Sequence, residues 1–159
     1  MRKILVAIDG SAGATRALEY CGGQFSGMND LSVTLLHVLP GLPPRFWDDG
    51  HILLADEKAE RQRVVDKWLA NQRLSAEPLL RDATEMLVRA GIDRERIEAK
   101  MICDSASEVT GILEEARRGS YLTLVIGRRG ASWAGEHVLG STASRIIHHG
   151  NGLAICVVE

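Results

Sequence analysis

Cysteine is scarce: Cys21, Cys103 and Cys156 are an odd set at scattered positions. Zinc sites and redox dithiols need close pairs, so neither is indicated, and the three read as buried, reduced thiols of a cytoplasmic protein. Neither sign of charge is in large excess. With a formal net charge of −2, nothing points to a polyanion, and nucleic acid is not an expected partner. Long apolar runs are missing too. The opening MRKILVAID has a basic tip, but its apolar stretch ends at Asp9, too soon for a signal peptide, and nothing later could span a bilayer. The expectation is a cytoplasmic protein without a membrane partner. Proline and glycine cluster in one stretch only, PGLPPRFWDDG (40 to 50), which reads as a mobile surface loop and not as a linker between domains. No internal repeat is found.

What is present fits one globular domain over 1–159, since 159 residues bury one ordinary core and 45% apolar with 25% charged residues is a soluble balance. Five short apolar runs stand out, KILVAI (3 to 8), LSVTLLHVL (31 to 39), RIEAKMIC (96 to 103), YLTLVI (121 to 126) and LAICVV (153 to 158). Several lack polar alternation, as parallel strands covered on both faces do. Helical patterns separate them. Ser11 can cap a helix to about Phe25, and Ser105 or Ser107 one to about Arg118. The span 54 to 91 is long enough for two helical pieces, with SAEP (75 to 78) offering a cap and an early-turn proline, and Gly91 closing the second. Trp68 and its apolar neighbours are expected on the core face of a helix. Alternation of this kind predicts an α/β fold with a mostly parallel sheet.

In such sheets ligands sit beyond the carboxyl ends of the strands, where strand order reverses. Those ends carry IDGS, HVLP and GRRGASWAGEHVLGS (127 to 141). The last follows an apolar run directly and exceeds the usual connection of about 2 to 6 residues. Its glycines let a ligand approach the main chain, and a helix beginning at Gly140 and Ser141 points N–H groups and its positive dipole end at one spot. The stretch therefore reads as a phosphate cradle. It is not the lysine-bearing mononucleotide loop, because Leu139 and Gly140 precede Ser141, and it is not G-x-G-x-x-G.

Gly127, Gly130, Gly140 and Ser141 satisfy G-x2-G-x9-G-[ST]. Together with KILVAIDGS and LLHVL, they make nearly the whole chain resemble a universal stress protein of the ATP-binding branch. The resemblance implies a five-stranded parallel sheet of order 3-2-1-4-5 between helices, a Rossmann-like adenine nucleotide alpha hydrolase-like fold, and a homodimer paired through the last strand. It implies ATP, or ADP or AMP, with Mg2+. Gly127, Gly130, Gly140, Ser141 and Thr142 would face ribose and phosphates, Val38 would meet adenine through its backbone, and Ile8 and Asp9 would lie beside the nucleotide, Asp9 also near the metal. A regulatory role in the stress response is implied as well. Trp133 stands where relatives often have glycine, Glu136-His137 where they often have a basic residue, and Gly150-Asn151-Gly152 replaces a proline-bearing turn.

Other residues have two readings. Asp9 is a ligand contact or a helix cap; because Ser11 is available as the cap, contact is expected. Arg128 and Arg129 either clamp phosphate or stay solvated. His37 reads as a packed core or rim histidine, and His148 and His149 as a helix end. Glu136 and His137 are the only acid/base pair in the loop, a weak catalytic signal. The expected function is therefore nucleotide binding with at most slow turnover. The alternative is an ATP-hydrolysing or adenylating enzyme on a related fold, although DGSAGAT lacks the tandem glycines and aspartate of such a phosphate loop. A phosphoacceptor receiver is excluded, because Asp9 has no acidic neighbour and no lysine follows Lys100.

Overall fold

The computed structural model describes residues 2–43, 54–103, 105–130 and 139–159. The elements follow one another as β1 (Arg2–Ala7), α1 (Ala12–Phe25), β2 (Leu31–Val38), α2 (Ala55–Arg89), a 3-10 turn (Arg94–Arg96), β3 (Ile97–Ile102), α3 (Glu108–Arg118), β4 (Thr123–Gly127), α4 (Ser141–His149) and β5 (Ala154–Val158). The strands form one sheet in the order β3-β2-β1-β4-β5, and every neighbouring pair is parallel. This is the five-stranded Rossmann-like sheet expected above. The strand limits differ from the sequence reading by a residue or two.

The continuous apolar runs are explained by burial on both faces. Along β1, Ile4 and Val6, followed by Ile8, join a core with α1 and α2, whereas Leu5 belongs to a second core with α3 and α4. Leu5, Val6, Val33, Leu35, Leu36, Leu124 and Val125 are wholly inaccessible. The edge strands are less covered: β5 has no residue fully buried, and β3 exposes Glu98 and Ala99. Among the described residues one charge enters the core. Glu115 is buried, and its Oε1 accepts from Lys100 Nζ at 2.8 Å and from the Tyr121 hydroxyl at 3.1 Å, so the carboxylate keeps partners after losing water.

The helix caps follow the sequence. Ser11 and Ser107, the latter and not Ser105, accept the N–H groups of Ala14 and Thr110 at 3.1 Å. Gly91 takes φ +97° beyond α2, where its N–H reaches Val88 O at 2.9 Å and that of Ile92 reaches Leu87 O at 3.1 Å, closing the helix in a Schellman turn. His148 and His149 do occupy the last turn of α4.

The expected two helical pieces over 54 to 91 are a single helix of 35 residues, with Pro78 inside it. Proline removes one N–H and crowds the carbonyl four residues earlier, here Leu74, but an exposed ring with buried neighbours on the opposite face need not end the helix. Ala76, Leu80, Ala83, Thr84 and Leu87 anchor it on both sides of the proline. The first twenty or so residues lie beyond the core. Local pairs support them, such as Glu57 Oε2 accepting Leu54 N–H at 2.8 Å and Gln62 donating to Asp66 at 2.8 Å, with Arg73 near their end tied to Cys103. Trp68 is accordingly half-buried and belongs to neither core, contrary to expectation. The thiols also differ from expectation: Cys21 is fully buried, but Cys103 and Cys156 are half-buried. Cys103 accepts from the Arg73 guanidinium at 3.0 and 3.3 Å. Among the described residues no helix is long and apolar enough to cross a membrane.

Candidate functional site

Strand order reverses between β1 and β4, and the loops at their carboxyl ends enclose a cleft. Its floor is apolar, made by Ala7, Ile8, Ala14, Ile112, Ile126 and Ala143. Its rim is polar, with Asp9, Ser11, Glu108, Arg129, Gly130 and Thr142.

The β1 side is held by short-range bonds. Asp9 Oδ1 accepts the Ser11 N–H at 3.0 Å, and Gly10 turns the chain at φ +79°. Ser11 caps α1 and donates its hydroxyl to Arg129 O at 3.3 Å, tying the first loop to the glycine loop. The Ile8 carbonyl receives His37 Nδ1 at 2.7 Å. A carbonyl only accepts, so Nδ1 carries the proton, and His37 is the positioned rim residue expected, not a base at the cleft.

The β4 side depends on close backbone approach. A Cβ on Gly127 would fall 2.5 Å from Gly13 C, and one on Gly13 would fall 2.2 Å from Arg129 O. Both glycines therefore let α1 touch the end of β4 and the loop after it main chain to main chain. A Cβ on Gly130 would come within 2.9 Å of Asp9 Oδ2, so the Asp9 carboxylate lies against this loop. The two arginines part here. Arg128 pairs with the Glu159 carboxylate, away from the cleft lining, whereas Arg129 lines the cleft.

Three helix N-termini meet at the cleft, with α1 contributing Ser11 and Ala14, α3 Glu108 and Ile112, and α4 Thr142 and Ala143. Their positive dipole ends favour an anion there. The Gly140 N–H is not available, because it donates to Arg128 O at 3.0 Å. No described residue accepts from the N–H groups of Ser141, Thr142 or Ala143.

Six residues anticipated from sequence, Ile8, Asp9, Gly127, Arg129, Gly130 and Thr142, are thus brought to one cleft. Four are not part of its lining. Arg128 is paired elsewhere, Gly140 closes the loop internally, Ser141 is exposed at the helix start, and Val38 is buried beneath α3, where a Cβ on Gly111 would lie 3.0 Å from it. Glu108 was missed. It lines the cleft, and its Oε2 accepts from Thr142 Oγ1 at 3.1 Å. Its sequence signal, a first-turn acid after Ser107, reads as ordinary helix chemistry. Among the described residues no three His, Cys, Asp or Glu side chains are grouped for a metal, so Asp9 and Glu108 are the only described cleft carboxylates a ligand-borne cation could use. Trp133, Glu136 and His137 lie outside the described residues.

The model of the universal stress protein family matches residues 1–152. A universal stress protein of Mycolicibacterium smegmatis is 23% identical over 154 residues, which are 97% of this chain and 47% of that protein. The chain thus spans about half the length of this curated relative. Among solved structures, the fold resembles the universal stress protein UspA from Lactobacillus plantarum, with TM-score 0.68, 16% identity and coverage of 99% of this chain and 97% of that one. It also resembles the universal stress protein from Archaeoglobus fulgidus in complex with dAMP, with TM-score 0.63, 19% identity and coverage of 100% and 98%. A universal stress protein family member from Arabidopsis thaliana with AMP bound gives TM-score 0.61, 16% identity and coverage of 99% and 91%. With its sheet order, its cleft and a match over most of its length, this chain belongs to the universal stress protein family.

Proposed function

We propose that the cleft binds an adenine nucleotide, ATP with Mg2+ in the first instance, and that the protein is a cytoplasmic regulator responding to nucleotide during stress. The observation that carries this reading is the convergence of three helix N-termini and Arg129 on one cleft behind Gly127 and Gly130. Dipoles and a guanidinium suit phosphate, and the apolar floor suits a base. Relatives of the same fold bound to dAMP and AMP support the ligand class. Thr142 and the N–H groups of α4 that have no acceptor among the described residues would meet phosphate, Ile8 and Asp9 the nucleoside side, and Asp9 with phosphate oxygens a Mg2+ that keeps most of its waters. Val38 would contribute at most its backbone. Gly140 and Ser141 would shape the cradle.

A regulator fits better than an enzyme, because His37 is committed to the Ile8 carbonyl and no described histidine lines the cleft. Pairing through β5 would give a homodimer, since that strand is an edge with Ile155, Cys156, Val157 and Val158 only half-buried. Calorimetric titration of Mg-ATP, ADP and AMP into nucleotide-stripped protein tests the reading, with a Gly140→Val, Ser141→Ala variant whose fold is confirmed by circular dichroism. Binding lost in the folded variant supports the cradle. A folded wild type that binds none of the three refutes it.

A further inference from the structure

The described lining of the cleft carries two carboxylates, Asp9 and Glu108, against one guanidinium, Arg129. The three helix N-termini, worth about +0.5 charge each, offset that excess over the cleft as a whole, so what a carboxylate does to an anion depends on where it sits. The position of Glu108 matters most. It opens α3, yet its Oε2 is held by Thr142 Oγ1 at 3.1 Å, in the first turn of α4, whose N–H groups are the part of the cleft best suited to phosphate. A carboxylate of the chain itself therefore stands beside the anion position.

We propose that Glu108 is a specificity-determining residue that sets this cleft against polyphosphate lacking a divalent cation. The inference rests on the nucleotide reading above and goes further than it, to the charge state of the ligand accepted. ATP alone brings its negative charges next to Glu108 and Asp9. With Mg2+ the phosphates are partly neutralised, and the carboxylates become favourable neighbours through the metal's water shell. A ligand without phosphate does not sense Glu108 at all. The residue thus makes binding a measure of the metal-bound nucleotide. Because Glu108 is exposed, its effect is screened and falls as salt rises.

The test is calorimetric titration of adenosine, of ATP in EDTA and of ATP with Mg2+ into stripped wild type, Glu108→Gln and Glu108→Asp, all verified by circular dichroism. In Glu108→Gln, affinity for metal-free ATP should rise about three- to tenfold, the scale of one charge pair at roughly 4 Å in a solvent-like dielectric. Adenosine affinity should stay within about twofold, and the preference for Mg-ATP over ATP should shrink by the same factor that metal-free ATP gains. Glu108→Asp, which keeps the charge, should retain the wild-type preference. Unchanged metal-free ATP affinity in Glu108→Gln, or equal shifts for ATP and adenosine, would overturn the proposal while leaving nucleotide binding intact. No binding of any ligand by wild type would overturn both.

Discussion

Gly13 and Gly127 are in backbone contact: a side-chain carbon on Gly127 would sit 2.5 Å from the Gly13 carbonyl carbon, 2.7 Å from its oxygen and 2.9 Å from Ala14 N. Fixed backbone, unlike the tip of a flexible side chain, cannot give way cheaply. The first glycine of the spaced motif is therefore required for packing whether or not a ligand is present. Gly127→Ala should destabilise the ligand-free protein by about 1 to 3 kcal/mol, the usual range for overpacking, and loosen the cleft as a consequence. Urea unfolding without nucleotide checks this. A variant of wild-type stability that has lost binding would show that the glycine serves the ligand alone.

Arg128 and Arg129 are adjacent in sequence and differ in role. Arg128 pairs with Glu159, and its N–H bonds Val158 O at 2.7 Å, so its side chain lies toward the sheet edge, while Arg129 lines the cleft. Arg129→Ala should weaken adenine-nucleotide binding by roughly tenfold or more, the cost of one charge-assisted phosphate contact, and Arg128→Ala by less than about threefold. Titration of both variants distinguishes this from a symmetric clamp, in which the two losses would be equal.

The divided roles of these neighbours show where sequence reading reaches its end. Strands such as ILVA and TLLHV were legible because burial on both faces removes alternation, and the caps Ser11, Ser107 and Gly91 because few residues can perform those tasks. Cleft residues at strand ends were legible from topology. Glu108 was not, because only the folded chain brings α3 against α4, and Gly13 reads as a helix-weakening glycine until β4 is placed beside it. The unbroken α2 was misread for the same reason: the grip of Ala76, Leu80 and Ala83 on the core is a tertiary property, invisible beside a local break signal.

Cys21 lies wholly inside the core between α1 and the sheet, and burial, with a smaller contribution from nearby Cys156, pushes its thiol up to about 12. An unfolded thiol titrates near about 8.5. Above that value the unfolded chain loses a proton that the folded chain keeps, so stability is fully present at lower pH and falls as pH rises toward 12. The slope contributed is at most about 1.4 kcal/mol per pH unit. Burial likewise raises Tyr121, which acts in the same direction at still higher pH. Cys21→Ala should cost stability at neutral pH through the lost volume yet flatten the decline between pH 9 and 11. Denaturation midpoints measured across that range decide it, and an unchanged slope in the variant would remove Cys21 as the cause.

Pro78 gives the last prediction. Its exposed ring interrupts a helix whose neighbours at Ala76 and Leu80 are buried, and it leaves the Leu74 carbonyl without the N–H that an ordinary residue would donate. Ser75, in the same turn, directs its hydroxyl back to Gln72 O at 2.8 Å, so the backbone here already relies on a side chain. A proline inside a helix costs about 3 kcal/mol relative to alanine. Part of that is offset because proline also restricts the unfolded chain, by about 0.4 to 1 kcal/mol. Pro78→Ala should therefore stabilise the protein by about 2 to 2.6 kcal/mol and raise the melting temperature. The gain should appear equally with and without nucleotide, because α2 contributes no residue to the cleft lining. A loss of stability instead would mean that α2 bends at Pro78 to seat its second half on the sheet, and that straightening it lifts Leu80 and Leu87 from the core.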